Sequence, residues 1–251
     1  MASPEAPPSA EQGAVAAASG RDKRRYVKAM FSDIAPRYDL LNHLLSFNID
    51  RRWRRLAIRA LQWERDPSGL FLDLCAGTLD VAVELATRPG FSGTVVGADF
   101  AEPMLRAGRA KIGDRAIHAV NADALTLPLA SDSCAGAVVA FGIRNLADLD
   151  AGLREVARVL KPGAQFVILE FTTPRLPLVR AGYRFYFHQV LPRLGGIISG
   201  NPGAYRYLPE SVAHFPEAPQ LADRMRLAGF RDVKWASLTF GVAAIHSGVK
   251  R

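Results

Sequence analysis

Leu70-Phe71-Leu72-Asp73-Leu74-Cys75-Ala76-Gly77-Thr78-Leu79-Asp80 is the stretch that decides the fold. An apolar run too short for a helix ends in a turn of small residues, and an amphipathic helical pattern follows over 80–87. That order opens a βαβ unit. Thr94-Val95-Val96-Gly97-Ala98-Asp99 repeats the strand pattern one unit later. Working outward, the spacing predicts a helix over 102–112, strands over 116–120 and 136–141, a helix over 149–160 and a strand over 165–171. A helix over 216–228, closed by Gly229, and two strands over 233–240 and 242–249 complete the pattern. Strands alternating with helices at this spacing predict an α/β, Rossmann-like fold: a mostly parallel seven-stranded sheet with helices on both faces.

Before the sheet, Val27, Met30, Phe31 and Ile34 recur at helical spacing, as do Trp53, Leu56, Ile58 and Leu61, with Pro36 breaking the run. Residues 21–62 are therefore expected to form a helical N-terminal extension. Residues 1–20 contain no basic residue and no sustained apolar centre, so they read as a disordered tail rather than a secretory or mitochondrial leader. The rest, 21–251, is expected to be one domain, with 174–215 a less regular, aromatic-rich insertion on the substrate side.

The 251 residues are about half apolar, enough for a sizeable core, and no apolar run reaches the roughly 18 residues of a membrane span. Two distant cysteines, Cys75 and Cys134, suggest neither a disulfide framework nor a zinc site, and point to a reducing cytosol. No metal is expected. The net charge of +8 is compatible with nucleic acid, an anionic membrane, an acidic substrate or a merely soluble basic protein. Its local groups are Lys23-Arg24-Arg25, Arg51 to Arg55, and Arg175, Arg180 and Arg184.

In an open α/β sheet ligands bind beyond the carboxyl ends of the strands. There Gly77 permits close backbone approach, and Asp99, about one βαβ unit after Asp73, can take the two hydroxyls of a ribose. A dinucleotide would want G-x-G-x-x-G at the first turn. One glycine stands there instead, with Asp73 and Asp80, which would repel a pyrophosphate. A cofactor carrying an ammonium and a sulfonium tolerates them, which favours S-adenosylmethionine; Asp80 is equally readable as an ordinary cap. Asn121-Ala122-Asp123, after the third strand, is placed to read an adenine amino group, or is simply a turn rich in Asx residues.

Several segments together resemble the ubiquinone/menaquinone biosynthesis C-methyltransferase family, over roughly 26–249. Tyr38-Asp-Leu-Leu-Asn-His-Leu-Leu-Ser46 with Trp53 is similar to its first signature, and Arg158-Val-Leu-Lys-Pro-Gly163 running to Glu170 to its second. Phe141-Gly-Ile-Arg-Asn145 and Tyr205-Arg-Tyr-Leu-Pro-Glu-Ser-Val212 are two further family segments. The resemblance implies a class I methyltransferase fold and transfer of a methyl group to a ring carbon of a polyprenyl quinol. It assigns cofactor contacts to Tyr38, Asp73, Gly77, Thr78, Asp99, Met104, Asn121 and Ala122. Four positions depart from the family: Asp50 for histidine, Leu79 for glycine, Ala140 for serine and Ala164 for glycine. Leu79 puts a branched side chain in the loop that approaches the cofactor. The turn is expected to have relaxed into an ordinary backbone conformation.

Carbon methylation needs an electron-rich ring, so Arg144 is read as stabilising a phenolate, with a structural ion pair as its other reading. Asn145 would orient the loop or the substrate. Tyr205 and Tyr207 would line the quinol pocket or pack in the core; Tyr183 to Phe187 would touch the prenyl tail or form a buried helix face. His43, His188 and His214 are candidate bases. The expected partners are the quinol and, transiently, an anionic membrane at the inner face of the cytoplasmic membrane, with a homodimer compatible. Nucleic acid is not expected, because Phe141 to Asn145 occupies the place of an amino-methylase Asn/Asp-Pro-Pro-Tyr motif. A non-catalytic scaffold with the same cofactor fold is the remaining alternative.

Overall fold

The computed structural model describes residues 20–39, 46, 48–190 and 202–251. Its centre is a seven-stranded sheet of order β3-β2-β1-β4-β5-β7-β6. The strands are β1 (Leu70–Leu74), β2 (Thr94–Asp99), β3 (Ile117–Asn121), β4 (Cys134–Ala140), β5 (Leu160–Phe171), β6 (Phe230–Leu238) and β7 (Ala243–Lys250). β1 pairs in parallel with both β2 and β4, and β3 and β5 extend the parallel part on either side. β7 is antiparallel to β5 and to β6. The order therefore reverses between β1 and β4, which opens a crevice beyond their carboxyl ends.

Strand alternation divides the core between the two faces. Leu72 and Leu74 of β1 point one way, onto Leu153 and Val156 of α5 (Leu149–Val159) and Leu221 and Met225 of α8 (Ala218–Leu227). Phe71 points the other way, with Val95, Val138 and Val167, onto α2 (Ile49–Leu61) and α3 (Asp80–Ala86). The second-face position after Phe71 is Asp73, a carboxylate where a parallel strand ordinarily carries an apolar group.

The helical N-terminal stretch is α1 (Gly20–Ile34), ended by a 3₁₀ turn at Ala35–Arg37 that contains Pro36. Its Tyr26, Val27, Met30 and Ile34 pack on Tyr207. α4 (Glu102–Gly108) follows β2. The region expected to be less regular carries two helices, α6 (Pro177–Phe185) and α7 (Pro202–Ala213). Each begins with a proline in its first turn, where the missing N–H costs nothing, but Pro209 sits inside α7 and masks its helical pattern. β6 starts at Phe230 and β5 at Leu160, earlier than expected. The tail through residue 19, residues 40–45 with His43, and residues 191–201 lie outside the described residues, as do the side chains of His188 and Tyr205. No helix among the described residues is long and apolar enough to cross a membrane.

Candidate active site

The loop after β1 is built from residues with positive φ: Cys75 at 52°, Gly77 at 52° and Leu79 at 67°. The expectation of an ordinary backbone at Leu79 is therefore wrong. Its side chain does not crowd the crevice either. Leu79 is fully buried among Val81, Leu85, Val95 and Leu105 on the second face of the sheet. It lies on Gly97 of β2, where an added Cβ would come within 2.4 Å of Leu79 Cδ2. Burial of the leucine offsets the cost of the left-handed backbone.

Leu79 is also the N-cap residue of α3, and an aliphatic side chain cannot accept a helix N–H. Asp73 does so from the neighbouring strand: its Oδ2 accepts from Ala82 N at 2.9 Å, the third residue of the helix. Burial pushes the Asp73 carboxyl up to about 8, against the lowering effects of that N–H and of Arg54. Asp80 is held by Lys111 at 2.6 Å and Arg54 at 3.1 Å, and Arg54 also pairs with buried Asp50 at 2.6 Å. Lys111 pairs with Asp39, which accepts from Thr78 Oγ1. Asp73, Asp80 and Thr78 thus form the back of the loop, and none of them lines the cleft.

The acid that does face the cleft is Asp99. Its Oδ2 accepts from Gly77 N at 2.9 Å and its Oδ1 from Ala101 N at 2.8 Å. Burial raises its carboxyl above the ordinary range, opposed by the N–H groups of Ala101, Gly77 and Phe100. Asn121 Nδ2 and Ala122 N both donate to the Asp99 carbonyl, at 2.9 and 3.0 Å, which ties the end of β3 to the end of β2.

Two contiguous clefts, with about 420 and 370 Å³ of free space including open solvent, meet at Asp99 and Asn145. The first is lined by Tyr38, Gly77, Met104 and Phe141, and the second by Ala122, Asp123 and Leu146. Asn121 opens onto a neighbouring hollow with Arg24 and Lys28. A Cβ added at Gly77 would lie 3.3 Å from Met104 Cε and 3.9 Å from Tyr38 Cε1, so the glycine keeps this end of the cleft wide. An acid at the end of β2, a small turn and apolar flanks at Phe100 and Met104 form a donor set and shape suited to an adenosyl group.

Arg144, in the 3₁₀ turn after β4, is 7% exposed. Its guanidinium bonds Glu170 Oε1 at 2.8 Å, Ser211 Oγ at 3.2 Å and the Phe141 carbonyl at 2.5 Å. The ion pair is therefore present, while the side chain lines neither of the two clefts, which its neighbour Asn145 does. Burial raises Glu170, and the Arg144 charge opposes this. Asn145 lines both clefts, and its Oδ1 accepts from Tyr207 Oη at 3.1 Å. Tyr207 is itself buried and packs at a tilt on Tyr26, with ring centroids 5.4 Å apart. His214 is exposed, beside the Glu210 carbonyl.

Sequence reasoning missed Cys75, Phe100 and Lys23, and read Asp123 only as part of the turn after the third strand. Cys75, Phe100 and Asp123 line the clefts, Asp123 paired with Arg24 of α1 at 2.8 Å. Lys23 donates to the Arg144 carbonyl at 2.7 Å, and desolvation, then the Arg144 charge, lowers it to about 8. The position of Phe100, next to the acid of β2, was a usable signal. Nothing local marked Lys23.

The ubiE/COQ5 methyltransferase family matches residues 19–250. A demethylmenaquinone methyltransferase of Thermus thermophilus is 52% identical over 87% of this chain and 99% of its own. A ubiquinone/menaquinone biosynthesis C-methyltransferase of Geobacter sulfurreducens is 46% identical over 91% and 90%. Among solved structures, an S-adenosylmethionine-dependent methyltransferase of Thermotoga maritima superposes with a TM-score of 0.63 at 20% identity, covering 89% of this chain and 99% of that one. Phosphoethanolamine N-methyltransferase 2 of Haemonchus contortus, in complex with S-adenosylmethionine, gives 0.56 at 14%, covering 77% and 52%. At these identities the structural matches speak for the fold.

Proposed function

The chain belongs to the ubiE/COQ5 methyltransferase family, and from that premise we propose that it methylates a ring carbon of a polyprenyl quinol in menaquinone or ubiquinone biosynthesis. The observation that carries this is the extent of the match. It includes α1, α6 and α7, which lie outside the cofactor fold and cover the site, and it spans 99% of the Thermus relative.

S-adenosylmethionine, the cofactor of the family, supplies an electrophilic methyl group when bound. In our reading Asp99 accepts from its ribose, while Gly77, Tyr38 and Met104 shape the cleft around it. Ala122 and Asn121 bound the adenine side. Asp73 and Thr78 hold the turn from behind. Asn145 faces the quinol ring, fixed by Tyr207. Arg144 favours the ring phenolate through its charge and by fixing the backbone from Phe141 to Asn145. The chain works at the cytoplasmic membrane surface, because the prenyl tail of the substrate resides in the bilayer.

The test is incubation of purified protein with S-adenosylmethionine and a short-chain demethylmenaquinol or methoxy-benzoquinol. Mass spectrometry, with NMR to locate the new methyl, should show a ring C-methylated product. No product from either quinol overturns the proposal, and methylation of nucleic acid instead would replace it.

A further inference from the structure

α6 carries its apolar stripe on the outside. Leu178, Ala181, Gly182 and Phe185 fall at i, i+3, i+4 and i+7, one face of a helix, and all four are exposed. Leu178 is 86% and Phe185 65% exposed, and a Cβ at Gly182 would meet nothing within 4 Å. The opposite face is the one that docks: Val179, Arg180 and Tyr183 are half-buried, and Tyr183 feels the charges of Arg144 and Glu170. The expectation of a buried helix face over 183–187 is therefore reversed at Phe185.

The stripe has an apolar neighbour. Leu176, which precedes the helix, is exposed, and Phe240 is 76% exposed at the tip of the β6–β7 turn. That turn lies against the segment that leads from β5 into α6: Thr172 Oγ1 donates to the Gly241 carbonyl at 2.7 Å, and a Cβ at Gly241 would sit 3.4 Å from Pro174 Cα. Arg184 is exposed on the flank of the stripe and Arg175 near its start, the latter paired at the surface with Glu217.

We propose that this face, Leu178 and Phe185 with Phe240 beside them, is the surface by which the protein enters the headgroup layer of an anionic membrane. An exposed apolar stripe bordered by arginines is the composition of an interfacial helix. The occupant is a lipid surface rather than a protein groove because the apolar groups project singly and are rimmed by cations. Docking through α6 would also bring the membrane to the element whose inner face reaches Arg144, so a quinol could pass from the bilayer without crossing water. This deepens the proposed function and rests on its lipid-tailed substrate.

The experiment is vesicle flotation of the full chain with phosphatidylcholine alone and with phosphatidylcholine mixed with phosphatidylglycerol, at low and high salt. Wild type should float with the anionic vesicles, less so at high salt. The Leu178→Ser/Phe185→Ser double variant should lose on the order of 100-fold in partition, since two large apolar side chains no longer bury. Arg184→Gln should lose less, and only at low salt. Methyl transfer to a water-soluble short-chain quinol should be unchanged in the double variant, because neither side chain lines the clefts. Unchanged flotation of the double variant overturns the surface, as does a loss of dimer by light scattering without loss of flotation. Absence of methyl transfer by the wild type would instead fail the quinol reading, whatever the vesicles show.

Discussion

Leu79 gives the sharpest test of how this loop is held. The residue is fully buried in the second-face core, does not line the clefts, and has φ of 67°. Two opposing terms follow. Truncating a fully buried leucine to alanine costs about 3–5 kcal/mol where the neighbours cannot collapse. Gly97 and the rigid strand beneath make this such a site. The left-handed backbone costs a side-chain-bearing residue about 1–2 kcal/mol, and only glycine escapes it. Leu79→Ala loses the packing and keeps the strain. Leu79→Gly loses the packing and sheds the strain, at the cost of more unfolded-state entropy. Both variants should be less stable than wild type, alanine by about 3–5 kcal/mol and glycine by roughly 1 kcal/mol less than that. Urea unfolding with m-values compared across the three proteins measures this. If alanine equals or exceeds glycine, the positive φ is not populated in solution. If both lie within about 0.5 kcal/mol of wild type, the burial of Leu79 is wrong. Glycine at this position is thus not expected to be an improvement in this chain.

Further outcomes are expected elsewhere in the site. Asp99→Ala should weaken S-adenosylmethionine binding by about 1–3 kcal/mol in calorimetry, the scale of a lost charged acceptor; unchanged affinity removes Asp99 from the cofactor site. Arg144→Ala should destabilise by about 3–5 kcal/mol, because it strands the buried Glu170 carboxylate, and should cost about 10²–10³ in turnover. Adding Glu170→Gln should return much of the stability but not the turnover, and return of both would make Arg144 purely structural. The folded-state pKa of Asp73 is raised, so the folded protein binds the extra proton and this group's contribution to stability is lost as pH rises from about 4 towards 8. Asp73→Asn keeps an acceptor for Ala82 and cannot ionise. Its stability relative to wild type should therefore rise over that window, and parallel pH profiles would contradict the shift.

The strands of this fold were legible because each carries a local pattern that survives without context. β1 and β2 are short apolar runs ending in an acid, and their bounds are those expected. Gly77 and Asp99 were singled out for the same reason, since both stand at strand ends, and both line the cleft. Asp73 was located correctly but given the wrong surroundings. Its pairing with Ala82 arises because residue 79 cannot cap α3, a relation between two elements that neither shows alone. α6 was obscured for a different reason. Its apolar stripe marks an outer face rather than a buried one, so periodicity could not say which side meets the core.

The polar cluster around Arg144 shows why the substrate side is harder to read than the cofactor side. Lys23 lies 121 residues from Arg144 in sequence and Ser211 lies 67 away, yet both bond it. Tyr207, 62 residues on, holds Asn145. α1 and α7 are fastened over the carboxyl ends of β4 and β5 by these bonds and by the packing of Tyr26 on Tyr207. Each group is polar and at least partly buried, so each is more stable there with its partner. Such a cluster is satisfied only as a set. Loss of Lys23 or Ser211 should therefore reach the cleft-lining Asn145 without either residue lining the clefts, by loosening the turn that carries it. Lys23→Met tests this. It keeps the aliphatic stem, removes the donor to the Arg144 carbonyl, and relieves the repulsion between the two cations that helps lower the lysine. If the set holds the turn, turnover should fall while S-adenosylmethionine affinity stays near wild type, because Asp99 and Gly77 belong to the other half of the site. A fall in cofactor affinity of the same size as the fall in turnover would show that the two halves move together.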